Sequence, residues 1–380
     1  MNIAHVVESL EVGGAEVLVA TLCNLQHRGG HDVAVHCLSQ AGPLALQLEQ
    51  EGIPVHVHAG LSSWGQIKSL SRMFRDSRRQ VIHCHNVGPT IFGAFAGRLA
   101  SSKAIISTRH GSISPTGKRL LLSAAAGRLC DFTVAVGEPT RRVLVSEWGA
   151  ISGRIVTIRN GAAPARVNAE STVRLRKKGF TAIMVARLKP PKDPATLLRA
   201  VALASVAVQD LQLWIVGDGV QMPELSGLVS ELGIAGRVEF LGQRDDVGTY
   251  LAAADVFVLS SLSEGVPVSL LEAMAASLPF IVTNAGGMPE IAHLSGAGLV
   301  VDCANPTDMA GALTQYANQR DSLPKLGQAA RECYVQHFKP ESWAEAYLTL
   351  YRTAMESPES AAADSAGTHH EPKPHVVDCK

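Results

Sequence analysis

The sequence predicts an α/β protein of two Rossmann-like, doubly wound parallel-sheet domains facing a central cleft. Short apolar runs rich in Val and Ile alternate with amphipathic stretches along the whole chain. Such alternation marks βαβ units, whose parallel strands are buried on both faces. Some thirteen runs are too many for one typical open sheet, and 380 residues are enough for two ordinary domains.

In order, the first half offers NIAHVV, HDVAVHCL, IPVHVH, QVIHCH, KAIISTR and DFTVAV as strands, with RIVTI closing it. The second half offers FTAIMVA, LQLWIVG, RVEFLG, DVFVLS, PFIVTN and AGLVV. Between them RNGAAPARVNAESTVRLRKKG turns to small residues and a proline, followed by five basic side chains. The expected division is a first domain at 1–165 and a second at 166–340. PESWAEAYLTLYRTAMES carries an apolar stripe of helical period, a terminal helix over 341–356. The polar, Ala-, Ser- and Pro-rich stretch 357–380 reads as a disordered tail.

Composition narrows the class. With 46% hydrophobic and 18% charged residues the chain is globular, not disordered. No apolar run is long enough to span a bilayer. MNIAHVVESL reads as a first strand and not as a signal peptide. Seven cysteines, an odd number without a CxxC pair, support neither a disulfide framework nor a zinc ribbon. A reducing cytoplasm is the expected setting. The net charge is zero, yet residues 1–165 hold 16 Lys and Arg against 10 Asp and Glu. A basic first half suits an anionic partner or a membrane surface.

The segment SEGVPVSLLEAMAASLP places Glu264 and Glu272 eight residues apart. On one helix that spacing turns by about 80° and climbs about 12 Å, so the two would not share a face. With Glu264 in the loop after a strand and Glu272 in the second turn of a helix opened by Pro267, both can face the crevice beyond the strand ends. The helix start between them, with Gly265, Val266 and Pro267, suits an anion. A ligand with hydroxyl groups flanking phosphate, such as a nucleotide-sugar, fits the arrangement. An exposed glutamate and a surface helix residue fit the spacing equally well.

VARLKPPKDPATLL puts Arg187 at a strand end, Lys192 in the following loop and Asp193-Pro194 at a helix start. Two cations there would neutralise a diphosphate, unless the loop is simply solvated. Gly13-Gly14 follows the first strand and lets backbone approach a phosphate, although such a turn is often structural. Gly217-Asp218-Gly219 resembles a dinucleotide fingerprint, but Met222 stands where the third glycine is required.

His83 and His85 alternate on a strand and share a face, with Cys84 opposite, and no third metal ligand is evident. His110 lies just past a strand, placed to bond a sugar, to move a proton or to fill a structural role. Lys68, Arg72, Arg75, Arg78 and Arg79 share one helix, in which Arg72, Arg75 and Arg79 fall on one side; Lys118-Arg119 add a second basic site. Such faces meet anionic lipid headgroups or water. Nucleic acid is not expected, because aromatics are 5% and none is interleaved with these charges.

Together these pieces resemble the retaining glycosyltransferases of family four, which have the GT-B fold. The matching segments are GGAE at 13–16, HCHN at 83–86, TRHG at 108–111, RNG at 159–161, RLKPPKD at 187–193, VGDG at 216–219, EGVPVSLLE at 264–272 and NAGGMPEI at 284–291. The resemblance covers about 1–350 and departs at Ala186, where many relatives have glycine. It implies transfer of a sugar from a nucleotide-sugar donor to a hydroxyl acceptor, with no metal and no cofactor. Donor phosphates would be held by Gly13, Gly14, Arg187 and Lys192, with Gly217, Gly265, Val266 and Pro267 lining the donor site. Glu272 would accept the ribose hydroxyls and Glu264 would lie near the donor sugar. His110 would line the acceptor side with His85, Asn86 and Arg109. Asn160-Gly161 would sit near the hinge, and the last helix would cross back to the first domain.

The expected acceptor is a lipid-linked glycan used in polysaccharide or cell-envelope synthesis at the inner membrane face. A nucleotide-sugar epimerase of similar fold and a non-catalytic nucleotide-sugar scaffold are the competing readings.

Overall fold

The computed structural model describes residues 1–111, 115–148, 153–168 and 179–356. Part of the expected inter-domain boundary and all of 357–380 lie outside them. The first unit runs β1 (Asn2–Val7), α1 (Gly14–Arg28), β2 (Asp32–Cys37), α2 (Pro43–Gln50), β3 (Val55–Val57), α3 (Ser63–Asp76) and β4 (Val81–His85). It continues with α4 (Val87–Leu99), β5 (Ala104–Arg109), α5 (Lys118–Leu129), β6 (Phe132–Ala135), α6 (Glu138–Trp148) and β7 (Ile155–Thr157).

The second unit runs β8 (Thr181–Val185), α7 (Pro194–Ala204), β9 (Gln212–Val216), α8 (Met222–Glu231), β10 (Val238–Gly242), α9 (Val247–Ala253) and β11 (Val256–Leu259). Then come α10 (Val268–Ala275), β12 (Phe280–Thr283), α11 (Met288–Ser295), β13 (Gly298–Val301), α12 (Pro306–Asn318), α13 (Leu323–His337) and α14 (Pro340–Glu356).

Every one of these strands falls on an apolar run read from the sequence. They pair in parallel into a seven-stranded sheet, ordered β3-β2-β1-β4-β5-β6-β7, and a six-stranded sheet, ordered β10-β9-β8-β11-β12-β13. Strand order reverses between β1 and β4 in one sheet and between β8 and β11 in the other. Crevices open beyond the carboxyl ends at such reversals, and that is where sheets of this kind bind ligands.

Local chemistry sets the helix starts. Asp193 caps α7 by accepting from the Thr196 N–H at 3.3 Å, with Pro194 in the first turn. Pro267 is the N-cap of α10, one position ahead of the first turn expected for it, because its extended backbone (φ −67°, ψ 129°) still belongs to the loop.

The second unit has one continuous apolar core around Phe257, Phe280, Leu270 and Leu271. In the first unit, one face of the sheet packs on α1 and on α14, which returns from the end of the second unit. Trp343, Tyr347 and Tyr351 of α14 join Ile3, Leu18 and Ile106 there. The crossing helix implied by the resemblance is therefore present. Residues of the 165–168 stretch already lie on the second unit, where Asn168 N–H donates to Thr249 Oγ1 at 2.7 Å. Among the described residues no helix is long and apolar enough to cross a membrane.

Candidate functional site

The ends of β1, β4 and β5 face the ends of β8 and β11 across a cavity of about 840 Å³. Glu8, Asn86, His110 and Arg119 line it from the first unit, Glu264 and Gly265 from the second. The two walls touch at its floor. Gly265 approaches the His110 carbonyl so closely that a Cβ there would lie 2.2 Å from the oxygen, so no larger residue fits.

Lys192 and Glu264, from the loops after β8 and β11, form an ion pair with side chains 21% and 11% exposed. A lysine held beside the cavity by a carboxylate is a cation ready to transfer its donors to an entering anion. Arg187 reaches across the cleft to the turn before α1, donating to the Val12 carbonyl at 3.4 Å. Gly13 is the N-cap of α1 and Gly14 its first residue. The structure thus gathers Gly13, Gly14 and Arg187 at one point, from positions far apart in sequence.

Glu272 sits in the second turn of α10, as expected, but is not among the residues lining the cavity. Burial pushes its carboxyl up to about 7. Gly217 has φ 128° and lies against the Ala186 carbonyl, where a Cβ would be 2.0 Å from the oxygen. Its glycine is required by the packing of β8 against β9. Val266 is buried, and its carbonyl accepts from Asn160 Nδ2 at 3.2 Å, which ties the hinge region to the second unit.

Asn86 holds the His110 backbone through an N–H···Oδ1 bond of 3.0 Å. Two expectations change and a third gains a detail. His85 does not reach the cavity: its ring lies behind His110, 3.0 Å from it through Nδ1 and Nε2. Arg109 lines the cavity as expected, and its buried guanidinium also pairs with Glu147 at 2.5 Å, which holds α6. Arg79 is not on a common exposed face with Arg72 and Arg75. It is buried, pairs with Asp32 at 3.0 Å and donates to the Ile3 and Asp32 carbonyls.

The histidine pair gains a third member. His5, His83 and His85 bring ring nitrogens within 4.8 Å of one another, the one such metal-capable group among the described residues. All three are buried, and their nitrogens already bond to one another or to Gln26, Thr108, His110 and Tyr351. A metal there would have to displace those bonds.

Sequence reading missed Glu8 as a cavity residue, although its place just after β1 could have signalled it. Arg119, read as part of a basic surface, lines the same wall. Glu290 of the NAGGMPEI segment was also missed: it bridges the units, accepting from Arg159 Nε at 2.9 Å and from the Glu138 backbone N–H at 3.3 Å.

Two sheets of this kind, closed over a charged cleft by a returning terminal helix, define the GT-B class. Residues 12–166 match the family described as Glycosyltransferase Family 4, and residues 168–333 match Glycosyl transferases group 1. The chain belongs to glycosyltransferase family four.

An Escherichia coli UDP-Gal:alpha-D-GlcNAc-diphosphoundecaprenol alpha-1,3-galactosyltransferase is 30% identical over 58% of this chain and 61% of its own length. A Mycobacterium tuberculosis GDP-mannose-dependent alpha-(1-6)-phosphatidylinositol monomannoside mannosyltransferase is 29% identical over 70% and 76%. A Rhizobium meliloti lipopolysaccharide core biosynthesis glycosyltransferase matches at 34% over only 41% and 44%. The chain thus spans about three fifths or less of the length of two of these curated relatives. Among solved structures, Anabaena Alr3699/HepE in complex with UDP superposes with a TM-score of 0.83 at 20% identity, over 93% of this chain and 100% of that one. WaaG, a glycosyltransferase involved in lipopolysaccharide biosynthesis, gives 0.70 at 15% over 92% and 99%. These superpositions establish the fold.

Proposed function

We propose that this chain transfers a glycosyl group from a nucleotide-sugar to a hydroxyl group of a lipid-linked glycan, with retention of anomeric configuration. The observation that carries the reading is the meeting of Glu264 and Gly265 with His110 across one cavity, with Lys192 paired to Glu264 beside it. Arg187 bridges to the Gly13 turn beside it. The Anabaena neighbour holds UDP-glucose in its own structure, and the relatives above are named for UDP-galactose and GDP-mannose.

In this reading the donor diphosphate takes Lys192 from Glu264 and is gripped by Arg187 and the α1 start. The C1–O bond to the diphosphate breaks while the acceptor oxygen bonds to C1 on the same face. The acceptor proton passes to the departing phosphate oxygen. Lys192 and Arg187 stabilise the charge that develops there, so no metal is called for. Glu264 turns from Lys192 to bond the donor sugar, and Glu272 accepts from the ribose hydroxyls.

Removing one such charge-stabilising donor costs about 100-fold or more in turnover. Lys192→Ala is expected to lose that much while its thermal unfolding stays close to wild type. Turnover within a few-fold of wild type would refute the mechanism, and an inverted product anomer in NMR spectra would refute retention. Binding without turnover across an acceptor panel would leave a scaffold, and sugar products from donor alone an epimerase.

The acceptor proposal places the protein at the inner membrane face. Lys68, Arg72 and Arg75 of α3, with Arg78 just past its end, are exposed and offer cations to anionic headgroups. Reversing Arg72, Arg75 and Arg78 to glutamate should release the protein from anionic liposomes in a flotation assay. Unchanged partitioning would rule out this face.

A further inference from the structure

Four side chains form a hydrogen-bonded line from α1 to the cavity. Gln26 Oε1 lies 2.8 Å from His5 Nε2, His5 Nδ1 lies 3.0 Å from His85 Nε2, and His85 Nδ1 lies 3.0 Å from His110 Nε2. Gln26 and His5 are wholly buried and His85 almost so. The line ends at His110 Nδ1, a buried nitrogen that has no partner among the described residues. His110 itself lines the cavity.

Burial disfavours the charged form of each ring. It pushes His5 and His110 down to about 4 and His85 well below the ordinary range. A neutral imidazole carries one N–H and one lone pair, so each ring in the line donates at one end and accepts at the other. A single choice therefore orders all three.

Gln26 makes that choice. Its amide nitrogen donates to the Tyr351 hydroxyl at 3.3 Å, which leaves its carbonyl oxygen facing His5. A carbonyl only accepts, so His5 carries its proton on Nε2 and accepts at Nδ1. His85 then donates from Nε2 and accepts at Nδ1. His110 donates from Nε2, and its Nδ1 keeps a lone pair.

A second branch agrees with the first. The Tyr351 hydroxyl, accepting from Gln26, gives its own proton to His83 Nδ1 at 2.6 Å, and His83 Nε2 donates to Thr108 Oγ1 at 2.8 Å. Turning the Gln26 amide over would reverse both branches and put an N–H at the open end.

We propose that Gln26 is a positioning residue that, through His5 and His85, fixes His110 as the Nε2–H tautomer and so presents a hydrogen-bond acceptor to a ligand hydroxyl in the cleft. The sugar nature of that ligand rests on the glycosyl-transfer reading; the tautomer does not.

The test is a two-bond nitrogen–proton NMR spectrum of the full chain with nitrogen-15-labelled histidine at neutral pH. The His110 signals are assigned by their loss in His110→Gln. The wild type should show His110 protonated on Nε2 alone. Gln26→Leu removes the acceptor that orders the line and should give a mixture of tautomers at His110. Gln26→Glu, whose carboxylate only accepts, should restore the Nε2–H pattern.

In a transfer assay Gln26→Leu should lose roughly a factor of ten in kcat/KM, the worth of one misdirected hydrogen bond, and Gln26→Glu should recover it. A wild-type His110 protonated on Nδ1, or a folded Gln26→Leu with the wild-type tautomer, would overturn the proposal. Should Gln26→Leu not fold, the wild-type and Gln26→Glu spectra decide, because Nδ1–H in either one overturns it. The Nε2–H form in a protein that binds no nucleotide-sugar would support the relay and refute the functional reading.

Discussion

The two sheets share a winding pattern and differ in what they bury. The first encloses His5, Gln26, His36, His58, Arg79, His83 and His85; the second, among its described residues, encloses hydroxyls such as Thr181, Thr249, Ser260, Tyr316 and Tyr334 and the largely buried Glu272, but no histidine or arginine. A sheet without buried histidines or arginines among its described residues needs few partners for its interior and acts as a rigid platform, on whose edge Lys192 and Glu264 stand. A polar interior must satisfy every ring, and in doing so it orients side chains at its rim. The price is sensitivity to protons and to the loss of single partners.

Acidification should give the largest contrast. His5 has a folded value of about 4 against an ordinary 6.5. Between those values the unfolded chain binds a proton that the folded chain refuses, so the stability is present above 6.5 and lost as pH falls towards 4. His5 alone contributes roughly 3 kcal/mol in this way, and buried His36, His83 and His85 act in the same sense. Glu272 has the opposite sign: raised from 4.5 to about 7, it favours the folded state below 4.5, and that benefit disappears as pH rises through 7. Hydrogen exchange followed from neutral pH to about pH 5 should show the first unit loosening well before the second. Loss of protection in both units together would break the comparison.

A smaller contrast lies in single substitutions. Glu147→Ala leaves the Arg109 guanidinium, 6% exposed, without its carboxylate and should cost about 3–5 kcal/mol. Most of that should return in Arg109→Met/Glu147→Leu, because an apolar pair removes the stranded charge. Urea unfolding midpoints measure both. A double variant no more stable than Glu147→Ala would show that the pair's worth is not electrostatic.

The strands were legible because parallel strands buried on both faces must be written as apolar runs, and each run from NIAHVV to AGLVV became one. Lys192, Glu264 and His110 were legible too, since residues just past strand ends converge in this architecture. The interior network was not. His83 and His85 announced a shared face, but Gln26 and Tyr351 meet across 325 positions, and neither carries a local pattern. Arg79 misled because the helical spacing was carried past Asp76, where α3 ends; beyond the helix, Arg79 folds back onto β1 and β2. Arg109 was placed correctly at the cavity, although a strand-end position does not reveal its buried pairing with Glu147.

The crossing of α14 onto the first sheet has a consequence for synthesis. Ribosomes release the first sheet, strand by strand, once residue 157 has emerged, yet Ile3, Leu18 and Ile106 keep an uncovered face until Trp343, Tyr347 and Tyr351 arrive. The first unit is therefore finished last, after the second has been made and folded, since domains form largely as they emerge. A nascent chain paused before α14 would display a sticky apolar sheet face, a substrate for holdase chaperones, and the Tyr351 hydroxyl would not yet be there for Gln26.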